Sequence, residues 1–440
     1  MGTLHARLER LRLPTLVAYV AVLLLATLTP FVADTDPDRM AARLASAIHP
    51  RFQPNDIVDA ARNLVLFAGW GLVWMASAPP QRAWRSIARA TAIGAAISVT
   101  IELCQVASSN RYPSVLDVIT NTAGSFFGAF FFAALVRTVR SHRERKSYFG
   151  LPAALLAGAY GTGTFVEALI PLFRSEGSGQ IRGGPFIRAA YVFATFRWNS
   201  VFDLALEDMI LFLPAGALAV VALTENGMSY RRAALRTAAG GLALAMLAEL
   251  AHAPLGEPIL IGSILVNAGG VTLGAWMAAR WLAPFSQYLR GANRPRVLLA
   301  LYAMVLLLWA WRPFEPEFDL AEMAGKLRGR WWEPLAMTGS RVDMYSVADV
   351  CVPFFLAIPL GALLAVWPLR RSGPLRTALP GIYLAAALEA GQLFIVGRLP
   401  DVTDFLVVAA GIVTGWLIVR RAGFQPHGEL LPPLPAQAAP

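Results

Sequence analysis

Twelve apolar runs, each long enough or nearly long enough to cross about 30 Å of hydrocarbon, dominate this chain of 440 residues. They fall near 13–30, 62–78, 86–107, 115–136, 151–172, 203–224, 232–252, 259–282, 297–312, 347–367, 376–396 and 402–420. A backbone in lipid must satisfy its own hydrogen bonds, and runs of this length do so as helices. With 56% apolar and 15% charged residues, the composition is that of a polytopic membrane protein rather than a soluble one. The expected fold is therefore all-α, with about twelve transmembrane helices. Basic residues mark the sidedness. With the N-terminus inside, the inner segments hold 23 of the 38 basic residues, among them Arg7, Arg82, Arg140, Lys146, Arg231, Arg290, Arg370 and Arg421, but only Glu9, Glu144, Glu225 and Glu429 of the 28 acids. The positive-inside rule then predicts both termini in the cytoplasm. The +10 net charge reports topology on this reading, and no nucleic-acid partner is expected.

Within the apolar background one polar pattern stands out. Glu102-x-x-Gln105 is followed by Arg111 and by Asp117-x-x-x-Asn121-x-x-Gly124-x-x-x-Gly128. On helices, Glu102 and Gln105 share a face, and Asp117, Asn121, Gly124 and Gly128 form a single stripe, so two polar faces meet across a tight connector. The pattern returns as Glu389-x-x-Gln392, Arg398, Asp404, Gly411 and Gly415, with the same spacing of six from Gln to Arg and from Arg to Asp. A weaker middle copy reads Glu249-x-x-His252, then Ser263, Asn267, Gly270 and Gly274, with no matching Arg. Three parallel four-helix repeats follow: residues 1–146, a degenerate copy over 147–290, and 291–423, with a Pro-rich tail over 424–440 expected to be disordered.

These residues, with Asn63-Leu-Val-Leu-Phe67 upstream, resemble the VanZ-like membrane family, named for a glycopeptide (teicoplanin) resistance protein. The first copy carries the resemblance from about Thr29 to Val136; the third departs at Val408, where Asn is expected, and at Pro353, opposite Asn63. The resemblance implies a multi-pass protein of the bacterial cytoplasmic membrane, tied to the cell envelope and antibiotic tolerance.

The candidate ligand-binding set is Asn63, Glu102, Gln105, Arg111, Asp117 and Asn121 in the first copy and Glu389, Gln392, Arg398 and Asp404 in the third. Ionisable groups in spans cost roughly 2.5–3.5 kcal/mol at the centre on insertion scales, so they pair or face a wet cavity. Two readings stay open. Glu102, Arg111 and Asp117 form a clasp that locks the connector while Gly124 and Gly128 permit close helix packing. Alternatively Arg111, whose planar fork matches an oxyanion, binds a phosphate, sugar or carboxylate that the carboxylates orient and that Gln105, Asn121 and Asn63 contact. His252, the acidic cluster Asp203, Glu207 and Asp208, and Asp59 and Asp349 read as packing or helix-capping groups.

No Gly-rich phosphate loop, His-Glu-x-x-His or Gly-x-Ser-x-Gly occurs, and the five histidines are scattered, so no cofactor, no metal and no catalytic residue is expected. The first expectation is a non-enzymatic envelope protein that binds a membrane lipid or cell-wall precursor at its outer face. A transporter or lipid flippase built from parallel repeats is the alternative, and a membrane-embedded transferase using Glu102 or Asp117 as a base is a third.

Overall fold

The computed structural model describes residues 2–28, 31–48, 54–78, 83–141, 151–169, 198–250, 261–288, 294–311, 316–329, 331–332, 345–367 and 374–423. His252, the connector around it and the tail over 424–440 lie outside these residues, as do the side chains of Asp203, Glu207 and Asp208.

Helices follow the apolar runs closely. They are α1 (Gly2–Leu28), α2 (Pro37–Ile48), α3 (Pro54–Ser77), α4 (Ala83–Val106), α5 (Val115–Ser141), α6 (Ala153–Leu169), α7 (Trp198–Glu225), α8 (Tyr230–Leu250), α9 (Ile261–Tyr288), α10 (Arg294–Ala310), α11 (Leu320–Arg328), α12 (Tyr345–Val366), α13 (Leu379–Gln392) and α14 (Val402–Arg421). Among the described residues, two of these fourteen helices, α2 and α11, are short and amphipathic; the other twelve match the twelve runs. Seven of those, α1, α4, α5, α8, α9, α12 and α14, are long and apolar enough to cross a membrane, and α7 and α10 contribute shorter apolar helices, Met209–Glu225 and Arg296–Ala310. Helix α3 opens with Asp56, Asp59 and Arg62, which dilutes its apolar run. Helix α13 has only 14 residues because a 3-10 turn at Pro374–Thr377 takes the start of the run. Many large apolar side chains on these helices, including Leu25, Leu103, Ile119, Phe127, Leu247, Leu265 and Tyr383, face outward. Such a surface suits lipid and would be a liability in water. The chain is a multi-pass membrane protein.

The chain divides into two compact units, residues 1–137 with 338–347 and residues 138–337 with 348–440. In the first, Leu23, Phe67, Trp70 and Ile101 form a core shared by α1, α3 and α4. In the second, Val220, Ala233, Ala275 and Ala278 join α7, α8 and α9.

Two contacts recur along the chain, each three times. Tyr19 of α1 donates its hydroxyl to the Leu66 carbonyl of α3 at 2.7 Å. Tyr160 of α6 does the same to Leu211 of α7 at 2.9 Å, and Tyr302 of α10 to Leu356 of α12 at 2.7 Å. The glycine stripes recur as well. Gly124 and Gly128 lie on the carbonyls of Leu64 and Ala68, Gly270 and Gly274 on those of Met209 and Leu213, and Gly411 and Gly415 on those of Phe354 and Ile358, with no room for a Cβ at any of the six. Small residues thus bring two helix backbones together in the manner of lipid-embedded helix pairs. The middle stretch, where the polar pattern is degenerate, keeps both devices, so its packing is that of the other two copies.

Candidate functional site

A polar cap forms where α4 turns into α5, and again where α13 turns into α14. In the first unit, Glu102 and Gln105 occupy the last turns of α4 and are both buried. The connector then runs through a buried Pro113 to Ser114, whose Oγ accepts from the Leu116 amide and starts α5. Glu102 Oε2 accepts the Ser114 N–H at 2.8 Å. The carboxylate therefore holds the amide of the residue that begins the next helix, satisfying a donor that helix formation leaves over. Gln105 turns the other way and donates to the Thr27 carbonyl at the end of α1, 3.3 Å.

The second unit repeats the device. Glu389 Oε2 accepts the Asp401 N–H at 3.3 Å, and Asp401 caps α14 by accepting from the Thr403 amide at 2.7 Å. Here Gln392 donates to Glu389 Oε1 at 3.1 Å, which closes the second carboxylate oxygen. One of the two sequence readings had Glu102, Arg111 and Asp117 form a clasp on the connector; the hydrogen bond that Glu102 makes there is to a backbone amide. Asp117 stands close enough to Glu102 to act on it electrostatically. Around Glu389, Asp404, Asp401 and Arg398 do the same, and Asp349 of α12 acts in the same way on Asp404. Arg111, Asp117 and Arg398 are half-buried and all three are engaged with neighbouring groups. Asn121 lies one turn below Asp117, 1% exposed, and donates Nδ2 to Ser98 Oγ at 2.8 Å. Asn63 is half-buried on α3, next to the Leu64 carbonyl that meets Gly124. Val408, where the third copy departs from Asn, sits opposite a matching change: the position of Ser98 is held there by Ala385, so the polar pair has become an apolar one.

Sequence reasoning missed a basic latch on each cap. Residues 31–36 pair antiparallel with the connector, Ala33 opposite Ser108, through Asp34 N to Ala107 O at 2.9 Å and Ser109 N to Val32 O at 2.8 Å. From the following helix, α2, Arg43 reaches back to the Val106 carbonyl at 2.9 Å and to Asp34 Oδ2. That hydrogen bond and one from the Asp36 amide hold the Asp34 carboxyl below the usual carboxylate range. In the second unit Pro316 pairs with Ile395, Glu317 N donates to Phe394 O at 2.8 Å, and Lys326 of α11 donates to the Ile395 and Leu393 carbonyls at 2.7 and 3.4 Å. Each basic side chain caps carbonyls left at the end of the Glu-bearing helix. The signal was present in the parallel runs Asp34-x-Asp36 and Glu317-x-Asp319, each placed seven residues before its basic partner's helical turn.

Among the described residues no group of His, Cys, Asp or Glu is arranged to hold a metal ion. The cap offers two carboxylates and one guanidinium at the end of a helix hairpin, a set suited to hydrogen-bonding a polar headgroup.

The family model VanZ/LLP1 matches residues 16–137 and 298–423, which together make up more than half of the chain. The chain belongs to the VanZ/LLP1 family. Both matched VanZ/LLP1 regions contain a complete cap, and the unmatched middle is the copy with the degenerate polar pattern. No curated protein and no solved structure matches the chain.

Proposed function

We propose that this VanZ/LLP1 protein sits in the bacterial cytoplasmic membrane with both termini inside, presents its two caps to the outer surface, and there binds the polar headgroup of a lipid-linked or cell-wall-related molecule. Membership of the family supports a link to the cell envelope and glycopeptide resistance. The distribution of basic residues supports the sidedness. The observation that carries the ligand reading is the first cap. Its connector is fastened by Glu102 to a backbone amide and by Arg43 to a backbone carbonyl, and Arg111 and Asp117 stand half-buried at the same end of the hairpin, each engaged with neighbouring groups. A guanidinium and a carboxylate gathered at that end suit an oxyanion and its hydroxyls. On this reading the repeats over 1–146, 147–290 and 291–423 share one packing scheme, and the middle one serves as scaffold. No catalytic step is assigned.

Arg111→Ala and Asp117→Asn, each assayed for protein abundance in the membrane and for glycopeptide sensitivity, test the proposal. Loss of tolerance at normal abundance supports headgroup binding. A fall in abundance that accounts for the phenotype returns both residues to a packing role. A reconstituted assay with labelled lipid separates binding from transport: unchanged transbilayer rates exclude the flippase reading.

A further inference from the structure

The first copy carries a second polar tier below its cap that the others lack. Ser98, Asn121 and Ser125 are 0%, 1% and 0% exposed. Ser125 donates to the Asn121 carbonyl at 3.0 Å, and its Oγ occupies the space that a side chain at Gly94 would fill. Asn121 donates Nδ2 to Ser98, but its Oδ1 is buried and, among the described residues, accepts from nothing. At the equivalent places the third copy has Ala385, Val408 and Ile412, and the second has Ala245, Asn267 and Val271. One turn of helix, about 6 Å, separates this tier from the cap. There Glu102 uses only Oε2 among the described residues, whereas the matching Glu389 has both oxygens engaged.

A buried acceptor without a donor is costly and rare, and an occupant is the ordinary resolution. The chemistry of the tier selects that occupant. A metal ion would find one neutral amide oxygen and hydroxyls, with no carboxylate at this level, and an anion would meet an acceptor. If the amide is turned over, Ser98 donates to Oδ1 and Nδ2 becomes the orphan, so a guest that both donates and accepts satisfies either orientation. We propose that Asn121, with Ser98 beside it, holds one hydroxyl-type guest in the first copy alone, supplied by an internal water or by the hydroxyl of a lipid headgroup entering beneath Glu102. The tier is distinct from Arg111 and Asp117, so the proposal stands or falls separately from headgroup binding at the cap.

Full-length protein with 15N-labelled asparagine side chains, in nanodiscs of phosphatidylcholine and phosphatidylglycerol, is examined by solid-state NMR for dipolar transfer to the Asn121 amide. Its signal is assigned by its loss in S98A/N121V, which installs the third copy's apolar pair and so should keep the fold. Transfer from water alone identifies an internal water. Transfer that includes the non-exchanging glycerol C–H protons of phosphatidylglycerol identifies a headgroup hydroxyl. Transfer from neither source overturns the proposal, as does a large rise in the melting temperature of S98A/N121V, because removing an acceptor already satisfied by a guest brings little gain.

Discussion

Glu102 and Glu389 show how one residue type can hold a hairpin through a backbone amide. A carboxylate at the end of one helix accepts the amide that opens the next, 2.8 Å at Ser114 and 3.3 Å at Asp401. Glutamine keeps an acceptor in the same place, so Glu102→Gln should leave the fold close to its parent. Glu102→Ala leaves the half-buried Ser114 amide without this acceptor and should cost about 1 kcal/mol, read as a lower melting temperature in detergent with Glu102→Gln as control. Equal melting temperatures for the two variants would remove the clasp role. Tryptophans make a second point at this scale. Trp70 of α3 donates to the Ala90 carbonyl at 3.0 Å, and Trp416 of α14 donates to Thr377 Oγ1 at 2.8 Å. Ala90 and Thr377 are equivalent positions, reached from different helices in the two copies. Lining up the copies as sequences sets Trp70 against Leu360 and Trp416 against Ala129, and neither substitution explains itself until the helices are packed.

Among the elements, the helix pairs were readable and the latches were not. The stripe Gly124, Gly128 announced a close approach, and its counterparts in the other copies make the same one. Glycine spacing encodes that contact directly, because only the missing Cβ matters. The cap partners of Glu102 and Glu389 are backbone amides, which carry no residue identity to read. Arg43 and Lys326 differ in type and sit in segments that resemble each other only through their acids, so no shared residue marks them in the sequence. Replacing Gly128 or Gly415 by valine should separate α5 from α3 or α14 from α12, lowering folded yield far more than the same change at the open position Gly240. Lys326→Met removes the donor to the Ile395 carbonyl and should speed amide exchange at Glu317 by roughly the factor of five that a bond of about 1 kcal/mol implies. Arg43→Met should do the same at Asp34 and Ser109. The first latch also depends on pH with a definite sign. Since the folded Asp34 titrates below its unfolded value near 3.9, its contribution is complete above that value and is lost as pH falls through the lower, folded one. Exchange at Ser109, corrected for its intrinsic pH dependence, should therefore stay flat from neutrality to about pH 4 and rise only below it; a rise between pH 5 and 7 would assign the latch to another group.

For the whole molecule, the sequence carried the helical class, the membrane setting and the repetition, because apolar run length and small-residue spacing are linear properties. The compact units are a separate matter from the repeats: the first holds most of the first repeat with residues 338–347, and the second holds residues 138–337 and 348–440. The first helices of the second and third copies touch through equivalent residues, Tyr160 and Tyr302, with ring centroids 6.0 Å apart and edge to face. A contact of that kind depends on how neighbours assemble, which no single repeat records. Sidedness is the property on which the proposed function depends, and it has a direct test. In a background with Cys104 and Cys351 replaced by alanine, a cysteine at Asn110 lies on the connector of the first cap and one at Gly227 lies in the turn between α7 and α8, at the opposite end of α8 from Glu249. A membrane-impermeant maleimide added to intact cells should label Asn110→Cys and spare Gly227→Cys until the membrane is opened. The reverse pattern would put the caps in the cytoplasm, where a ligand confined to the outer surface cannot reach them, and the headgroup proposal would fall with it. Labelling at both positions would show that the copies do not share one orientation, against the distribution of arginines that predicts a common inner side.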